Sequence, residues 1–275
     1  MQQTVDRISY STIEFDSSAI DQSLLNIDDR RRTSLFAWSG QFSPQLIEVL
    51  LNHYASPTDT VADPFLGSGT VLYECAGKNL SAVGVELNPS AYFMAKTYEL
   101  CNYCMDERAA IIKTVSGLLQ TLPDKQEPLE ALPDIIAKQA DPVKSVLSVL
   151  VVLLDLYKHP FTFSRLFKKW ENLKKLILSL PFSTGFLRAH LGDSRTQFIE
   201  ENKIDLVITS PPYINVFNYH QNYRRSVEAL GYDILAIAKK EVGSNRRNRG
   251  NRFLTVIDYC LDMSLAIKDM IRYSY

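Results

Sequence analysis

Residues 60–70 read Thr-Val-Ala-Asp-Pro-Phe-Leu-Gly-Ser-Gly-Thr, and this stretch decides the fold. A short apolar strand runs into Asp63, a glycine loop follows, and Thr70–Ala76 has the pattern of a helix. Gly67 and Gly69 allow a tight turn and a close approach of the backbone to a ligand. The stretch therefore predicts the strand–loop–helix unit of an α/β protein, with a ligand site at the loop.

The next predicted strand indicates what the loop binds. Residues 81–86 read Ser-Ala-Val-Gly-Val-Glu, so this strand ends in Glu86, 23 residues after Asp63. An acid about 20 residues past a glycine loop is the spacing that holds ribose hydroxyls. The loop is not G-x-G-x-x-G and lacks the lysine of a phosphate loop, which disfavours nicotinamide nucleotides and ATP. With an acid in place of the first glycine, the loop suits a nucleoside with a cationic amino-acid tail, which describes S-adenosylmethionine.

A proline-rich turn follows another predicted strand. Residues 205–213 read Asp-Leu-Val-Ile-Thr-Ser-Pro-Pro-Tyr, and their apolar run is typical of a buried parallel strand. The two prolines end the strand and leave a stiff turn at its carboxyl end, where open α/β sheets bind ligands. The hydroxyl of Ser210, carbonyls outside the ladder and the ring of Tyr213 suit an exocyclic amino group on a planar base.

Four motifs in this order resemble those of the amino-methylating DNA methyltransferases, in the Ser-Pro-Pro-Tyr branch that usually modifies N4 of cytosine. Residues 36–44, Phe-Ala-Trp-Ser-Gly-Gln-Phe-Ser-Pro, resemble the motif on the methionine side of the cofactor. Residues 63–70 resemble the central cofactor motif, and residues 192–194, Gly-Asp-Ser, resemble the motif that meets the adenine ring. The fourth motif is the turn 210–213.

The resemblance implies a role for individual residues. It implies S-adenosylmethionine as the cofactor and double-stranded DNA as the substrate, within a restriction–modification system. The expected cofactor-binding residues are Phe36, Trp38, Ser43, Asp63, Pro64, Phe65, Gly67, Gly69, Thr70, Glu86, Leu87, Asn88, Asp193 and Ser194. The expected catalytic residues are Ser210, Pro211, Pro212 and Tyr213. The residues expected to face DNA directly after this turn are Asn215, Asn218 and Tyr219.

Composition and charge limit the classes of protein to which this chain can belong. The chain has 275 residues, 46% apolar residues and a net charge of −1. It has no stretch of about 18 apolar residues, and residues 1–16 lack the apolar core of a signal sequence. These features predict a globular intracellular protein with no membrane segment, and the resemblance to restriction–modification enzymes implies the prokaryotic cytoplasm. Four cysteines give no disulfide framework, and the pair Cys101-x-x-Cys104 lacks a second Cys or His pair, so no metal site is expected.

The distribution of charge is more informative than its sum. A basic run falls within 14 residues: Lys239, Lys240, Arg246, Arg247, Arg249 and Arg252. Because this run follows the turn at 210–213, we expect Arg246, Arg247 and Arg249 to contact DNA phosphates.

The predicted elements place the motifs on a Rossmann-like sheet. Strands are expected at 59–63, 81–86, 186–191 and 204–209, and the resemblance implies the spatial order third, second, first, fourth. Between the second and third strands, prolines separate three predicted helices, at 107–122, 142–157 and 164–180. These elements divide the chain into four predicted regions. They are an N-terminal arm (1–30), a cofactor-binding half (31–104), a helical insert that is a candidate for target recognition (105–183), and a part with the catalytic motif, the DNA-facing loop and a terminal helix (184–275).

The sheet predicted in this way is incomplete. The resemblance implies seven strands, whereas the sequence predicts about four. The strand at 204–209 would lie at an edge, and proteins usually cover an exposed apolar edge. We therefore expect a second polypeptide that supplies the missing strands, or self-association through the same edge; a truncated chain is the alternative.

Three functions stay open at this point. The first is a cytosine-N4 DNA methyltransferase. The second is an adenine-N6 DNA methyltransferase or a guanine-N2 RNA methyltransferase. Serine stands where related enzymes carry Asp or Asn, which favours cytosine, and a 30-residue arm is short for an RNA-binding domain. The third is an inactive fragment that binds DNA or a partner, against which the intact cofactor motifs argue.

Overall fold

Four parallel strands form the sheet of this protein, whose structure is a computed structural model. The structure describes residues 20–27, 34–123, 128–196, 203–214, 218–244, 248 and 251–273. The strands are β1 (Thr60–Asp63), β2 (Ser81–Glu86), β3 (Leu187–Leu191) and β4 (Leu206–Val207). Their spatial order is β3-β2-β1-β4, and every pairing is parallel. The predicted Rossmann-like α/β class and the strand order are thereby confirmed.

Helices join the strands and extend the protein beyond the sheet. Before β2 lie α1 (Gln22–Leu25), α2 (Pro44–Tyr54) and α3 (Thr70–Gly77). After β2, α4 (Pro89–Lys96) continues as a 3-10 helix over Thr97–Asn102, and the insert adds α5 (Met105–Gln120), α6 (Pro128–Ala137), α7 (Val143–Leu153) and α8 (Phe163–Ser179). Beyond β4 follow a 3-10 turn (Tyr219–Gln221), α9 (Arg224–Ala229), α10 (Ile234–Ala238) and α11 (Arg252–Tyr273).

Helix α6 is an element that the sequence did not predict. The prolines in this region were interpreted as separators between helices, yet Pro133 lies inside α6. A proline in a helix removes one backbone donor. However, Leu132 and Ile136 of α6 are buried in the main core, and the burial of two large apolar side chains offsets that loss.

A buried arginine fastens the helical insert to the rest of the fold. Arg108 of α5 donates from Nε to the carbonyl of Leu100 at 2.8 Å, from Nη1 to that of Leu180 at 2.5 Å, and from Nη2 to that of Pro181 at 2.7 Å. These carbonyls lie in the 3-10 helix and just past the end of α8, where helices leave acceptors unpaired. One guanidinium thus joins the beginning and the end of the insert to the segment that leads from α4.

The two edges of the sheet are built differently. On the β3 edge, the backbone N–H of Leu187 donates to Asn102 Oδ1 at 2.9 Å, and that of Ala189 donates to Glu99 Oε1 at 2.9 Å. These side chains take the place of a neighbouring strand. On the other edge, β4 has two half-buried ladder residues and is shorter than the predicted strand 204–209.

Helix α11 turns small and polar side chains inward and an apolar face outward. Thr255, Asp262 and Ala266 are buried, while Met270 packs with Val207 in a small cluster on one face of the sheet. Large apolar side chains are exposed along the helix, namely those of Phe253, Leu254, Val256, Ile257, Leu261, Leu265, Ile267 and Ile271. Across the described ranges, no helix combines the length and the apolar character that a membrane span requires.

Candidate functional site

A cleft opens at the carboxyl ends of the parallel strands. Its walls come from the segment before α2, the loop between β1 and α3, the end of β2, and the turns after β3 and β4. Most of the residues expected from the sequence line it together: Trp38, Asp63, Pro64, Phe65, Gly67, Thr70, Glu86, Leu87, Asn88, Asp193, Ser194, Ser210, Pro212 and Tyr219. The parallel topology thus brings motifs that are distant in sequence to one place.

Asp63 lies where β1 ends and joins the glycine loop to the turn at 210–213. Its Oδ1 accepts a hydrogen bond from the backbone N–H of Phe65 at 3.1 Å and another from the hydroxyl of Thr209 at 2.6 Å. Because Thr209 directly precedes the turn, this carboxylate sets the distance between the two motifs. Burial raises the pKa of Asp63 to about 7, although both hydrogen bonds favour the ionised form.

Glu86 ends β2 and accepts backbone hydrogen bonds on both oxygens. The N–H of Gly67 donates to Oε2 at 2.7 Å, and the N–H of Asn88 donates to Oε1 at 2.7 Å. Glu86 therefore ties the glycine loop to the start of α4. Burial raises the pKa of Glu86 to about 7; the negative charge of Asp63 adds to this shift and the backbone donors oppose it. A cation bound in the cleft would lower both pKa values.

Gly69 shapes the cleft without lining it. It precedes α3 with a φ of +90°, a left-handed conformation that side chains disfavour. A Cβ at this position would lie 2.7 Å from the Cα of Ala95 and 2.9 Å from a ring carbon of Tyr98. Only glycine lets α3 begin this close to α4, which places the loop between the two strand ends.

A third carboxylate, that of Asp193, lies in the turn after β3 and pairs with Arg195. Arg195 donates from Nε to Oδ1 at 2.8 Å and from Nη2 to Oδ2 at 2.5 Å. Burial opposes the charge of Asp193, but the hydrogen bonds and positive charge of Arg195 outweigh burial and hold the pKa of Asp193 below its usual value. Of these three carboxylates, that of Asp193 is held in the ionised form, whereas the pKa values of Asp63 and Glu86 lie near neutrality.

The turn 210–213 comes after β4 and forms part of the cleft wall. Just before it, the N–H of Ile208 donates to the carbonyl of Ala62 at 3.0 Å, so the turn starts directly from the β1 edge. Ser210 and Pro212 line the cleft, Pro211 is half-buried, and Tyr213 is 49% exposed. A tyrosine ring exposed to this extent beside a cleft suits stacking on a flat ligand.

Tyr219 and Trp38 add an aromatic wall. Their ring centroids are 6.1 Å apart and their planes differ by 17°. The carbonyl of Tyr219 accepts a hydrogen bond from Asn88 Nδ2 at 3.2 Å, which anchors the segment after the turn to the start of α4. Burial raises the pKa of Tyr219 to about 12, so its phenol is neutral at physiological pH.

The remaining expected site residues lie elsewhere. Phe36 is buried in the main core and contacts Tyr98, with ring centroids 5.7 Å apart. Ser43 directly precedes α2 and does not line the cleft; its hydroxyl donates a hydrogen bond to Gln45 Oε1 at 2.9 Å. Asn218 is exposed. Four of the expected DNA-facing residues lie outside the described part of the chain: Asn215, Arg246, Arg247 and Arg249.

Cleft residues that the sequence did not single out come from two places. Gln41 and Ser68 lie within the quoted motifs, and the hydroxyl of Ser68 donates to Gln41 Oε1 at 2.9 Å. Glu241 and Val242 come from the loop after α10, and Glu241 Oε2 lies 3.0 Å from Nδ1 of the buried His220. The signal for Glu241 in the sequence is that it is an acid within the basic run 239–252.

DNA methylases and type II methyltransferases are among the known proteins to which this chain is similar. The model of the DNA methylase family of N6 and N4 methyltransferases matches residues 6–97. The chain is 31% identical over 67 residues to the type II methyltransferase M.MjaII of Methanocaldococcus jannaschii. It is 44% identical over 54 residues to the type II methyltransferase M.XycI of Xanthomonas campestris pv. cyanopsidis. These stretches cover 23% and 20% of this chain but only 13% and 18% of the two relatives, less than a fifth of either. No solved structure matches the chain significantly.

Proposed function

We propose that this protein is an S-adenosylmethionine-dependent methyltransferase of a restriction–modification system, which acts on an exocyclic amino group in duplex DNA. The observation that carries the proposal is the 2.6 Å hydrogen bond from Thr209 to Asp63. It joins the strand end that carries the base-facing turn to the strand end that carries the cofactor loop. Group transfer between two bound molecules requires such adjacent sites. The DNA methylase match over residues 6–97 supports the same conclusion.

The residues of the cleft fit the cofactor. S-adenosylmethionine is a nucleoside with a cationic amino-acid tail, and its positive sulfur supplies an activated methyl group. Burial raises the pKa values of Asp63 and Glu86 to about 7, and a cationic ligand would compensate their negative charges. In this proposal Asp63 binds the methionine end, Glu86 the ribose hydroxyls and Asp193 the adenine amino group. Trp38 belongs to the apolar wall.

The turn 210–213 would activate the target amine. The amino nitrogen of a base is a poor nucleophile because its lone pair is conjugated with the ring. The hydroxyl of Ser210 and the carbonyl of Pro211 would accept its two hydrogens, which favours a tetrahedral nitrogen with an available lone pair. Tyr213 would stack on the base. The base must leave the duplex to reach the cleft.

Cytosine N4 is the target that we propose. The reason is the neutral Ser210 at the first position of the motif, which resembles the branch that modifies this atom. Because adenine N6 presents the same pair of amine hydrogens, the choice depends on that resemblance and on the test below.

We also propose a second polypeptide that adds a strand beside β4 and covers α11. The outward face of α11 exposes side chains such as Leu261 and Leu265, and contiguous exposed apolar surface of this kind marks interaction sites. Met270 of α11 and Val207 of β4 pack against the same small cluster of buried apolar residues, so one partner can cover both elements. Light scattering, with and without the protein encoded by the neighbouring gene, tests this. A monomer that methylates DNA unaided would contradict it.

The proposed function is tested with methyl-labelled S-adenosylmethionine. The chain, with and without the neighbour-encoded protein, is incubated with duplex DNA or RNA, and the labelled nucleoside is identified after digestion. We expect N4-methylcytosine in DNA. N6-methyladenine would change the target base, and label in RNA would change the substrate. No label in any nucleic acid would reject the proposal, with Ser210→Ala as the inactive control.

A further inference from the structure

Arg195 is the centre of a largely buried polar cluster beside the cleft. Its side chain is 10% exposed and forms ion pairs with two acids, Asp193 at 2.5 Å and Asp262 at 2.8 Å. Asp193 lines the cleft, whereas Asp262 belongs to α11. Arg195 Nη2 also donates to the carbonyl of Lys240 at 2.8 Å, directly before the cleft residue Glu241. One guanidinium therefore joins the turn after β3, the loop after α10 and the terminal helix.

The contacts between Arg195 and Asp193 fix the orientation of the carboxylate. Nε and Nη2 of Arg195 bind one oxygen each, and the backbone N–H of Arg195 adds a third hydrogen bond to Oδ1 at 3.1 Å. An ionised carboxylate has about four acceptor positions. Three of them are filled by Arg195, so the remaining position, on Oδ2, suits a single N–H donor of a ligand.

The chemistry of the cluster requires an arginine. A single cation compensates two acids, and its planar fork reaches both oxygens of Asp193 while a third nitrogen reaches Asp262. Lysine would keep the charge but presents it as one point on a flexible stem, without the two-pronged geometry. The hydrogen bond with Asp193 is the main cause that raises the pKa of Arg195, so the guanidinium stays charged.

We propose that Arg195 is a positioning residue for recognition of the adenine ring. It orients Asp193 so that the carboxylate accepts one hydrogen of the 6-amino group, and its ion pair with Asp262 makes α11 part of the same support. The inference rests on the proposed function, because it takes the cleft to bind S-adenosylmethionine. Arg195 is not itself among the cleft-lining residues and acts through Asp193.

Two ligands that differ in the amino group separate positioning from general folding. S-adenosylhomocysteine carries the 6-amino group, and S-inosylhomocysteine carries an oxygen there. A variant that merely loosens the fold lowers both affinities together and leaves their ratio unchanged. Calorimetry on the whole chain should show that the parent prefers the adenosyl ligand by at least about tenfold. Arg195→Met and Arg195→Lys should reduce this preference to within about threefold.

The remaining variants show where the effect originates. Asp262→Asn should reduce the preference less than either Arg195 variant, because the pair with Asp193 persists. The matched control is Arg224→Met, which removes the 2.7 Å pair of Arg224 with Glu228 on α9, a helix with no cleft-lining residue. It should leave the preference intact.

The outcomes separate this inference from the function on which it rests. If Arg195→Met does not fold, Arg195→Lys decides. A parent that prefers the adenosyl ligand, with variants that keep the same ratio, would overturn the role of Arg195 alone. A parent that binds neither ligand would overturn the proposed function and this inference with it.

Discussion

The proposed cofactor side and the proposed base side of the cleft are built in different ways. On the cofactor side, the carboxylates of Asp63, Glu86 and Asp193 each accept at least two hydrogen bonds from the protein. On the base side, two prolines stiffen the turn 210–213, and Tyr213 is 49% exposed. The difference fits the proposed function, in which hydrogen bonds within the protein preorganise the cofactor site and a base is brought from outside to a rigid turn.

The comparison predicts that substitutions on the two sides separate turnover from cofactor binding. The largest effect is expected on the base side. Ser210→Ala and Tyr213→Ala should each reduce methyl transfer at least about 100-fold, because the amine loses an acceptor or the base loses its stacking partner. Cofactor affinity, measured by calorimetry, should stay within about twofold of the parent, since neither residue is assigned to the cofactor. Unchanged turnover in either variant would contradict the assigned role.

The next largest effect concerns the preorganisation of the cofactor side. Gly69→Ala should destabilise the protein by about 2–3 kcal/mol, because the φ of +90° disfavours a side chain and the new Cβ would lie 2.7 Å from backbone of α4. Urea unfolding measures the change. Gly117→Ala is the control: it lies within α5 with no atom within 4 Å of the added Cβ, and it should stabilise the protein by about 0.5–1 kcal/mol. Equal effects of the two substitutions would refute the close-contact argument.

The sequence was sufficient for those features of the fold that depend on local pattern. Apolar runs that end in Asp63 and Glu86 marked two strands, and the structure places both. Helix α6 was missed because the local cost of Pro133 is overcome by burial of Leu132 and Ile136 against other helices. Leu132 and Ile136 have the spacing of a helix, but Pro133 between them favours a helix break unless the tertiary contacts are known.

In the candidate site, too, features set by the local sequence were predictable, whereas contacts between distant elements were not. Glu86 was predictable from its spacing to the glycine loop and Asp63 from its place at the start of that loop, whereas Asp193 was expected only from the resemblance. The bond between Thr209 and Asp63 joins residues 146 positions apart, and Arg195 meets Asp262 through α11. Neither contact has a sequence motif, because each depends on how separate elements pack.

A third prediction addresses the acids of the cofactor side. Asp63→Ala or Glu86→Ala should weaken S-adenosylmethionine binding by roughly 1–3 kcal/mol, the scale of hydrogen bonds to a charged group. Calorimetric dissociation constants check this, and unchanged values for both variants would reject the cofactor assignment. Asp59→Ala, a substitution before β1 at a residue that does not line the cleft, is the control.

The same acids give a pH dependence with a definite sign. Burial raises the pKa values of Asp63 and Glu86 to about 7 from ordinary values of 3.8 and 4.5, so the unliganded folded state binds more protons than the unfolded state between about pH 4 and 7. Stability without ligand should therefore fall as the pH rises through this window. A cationic ligand should release protons on binding and bind more tightly towards pH 8. Calorimetry in buffers of different ionisation enthalpy measures this release, and a release of zero at pH 7 would contradict the buried-acid argument.

The smallest effect is expected where the base side would meet the DNA backbone. Replacing Arg246, Arg247 and Arg249 by Gln removes three charges from the basic run and should flatten the log–log salt dependence of DNA binding by about two to three units. Because phosphate contacts carry no sequence information, the loss should be similar for specific and random duplexes. A comparison variant replaces three exposed lysines of the insert, Lys113, Lys168 and Lys175, and measures whether this candidate for target recognition also contacts phosphates. If both triple variants flatten the slope equally, the insert contributes as much to DNA binding as the basic run does. The surface that meets DNA would then extend beyond the turn at 210–213. If only the insert variant does so, the basic run is a solvated loop.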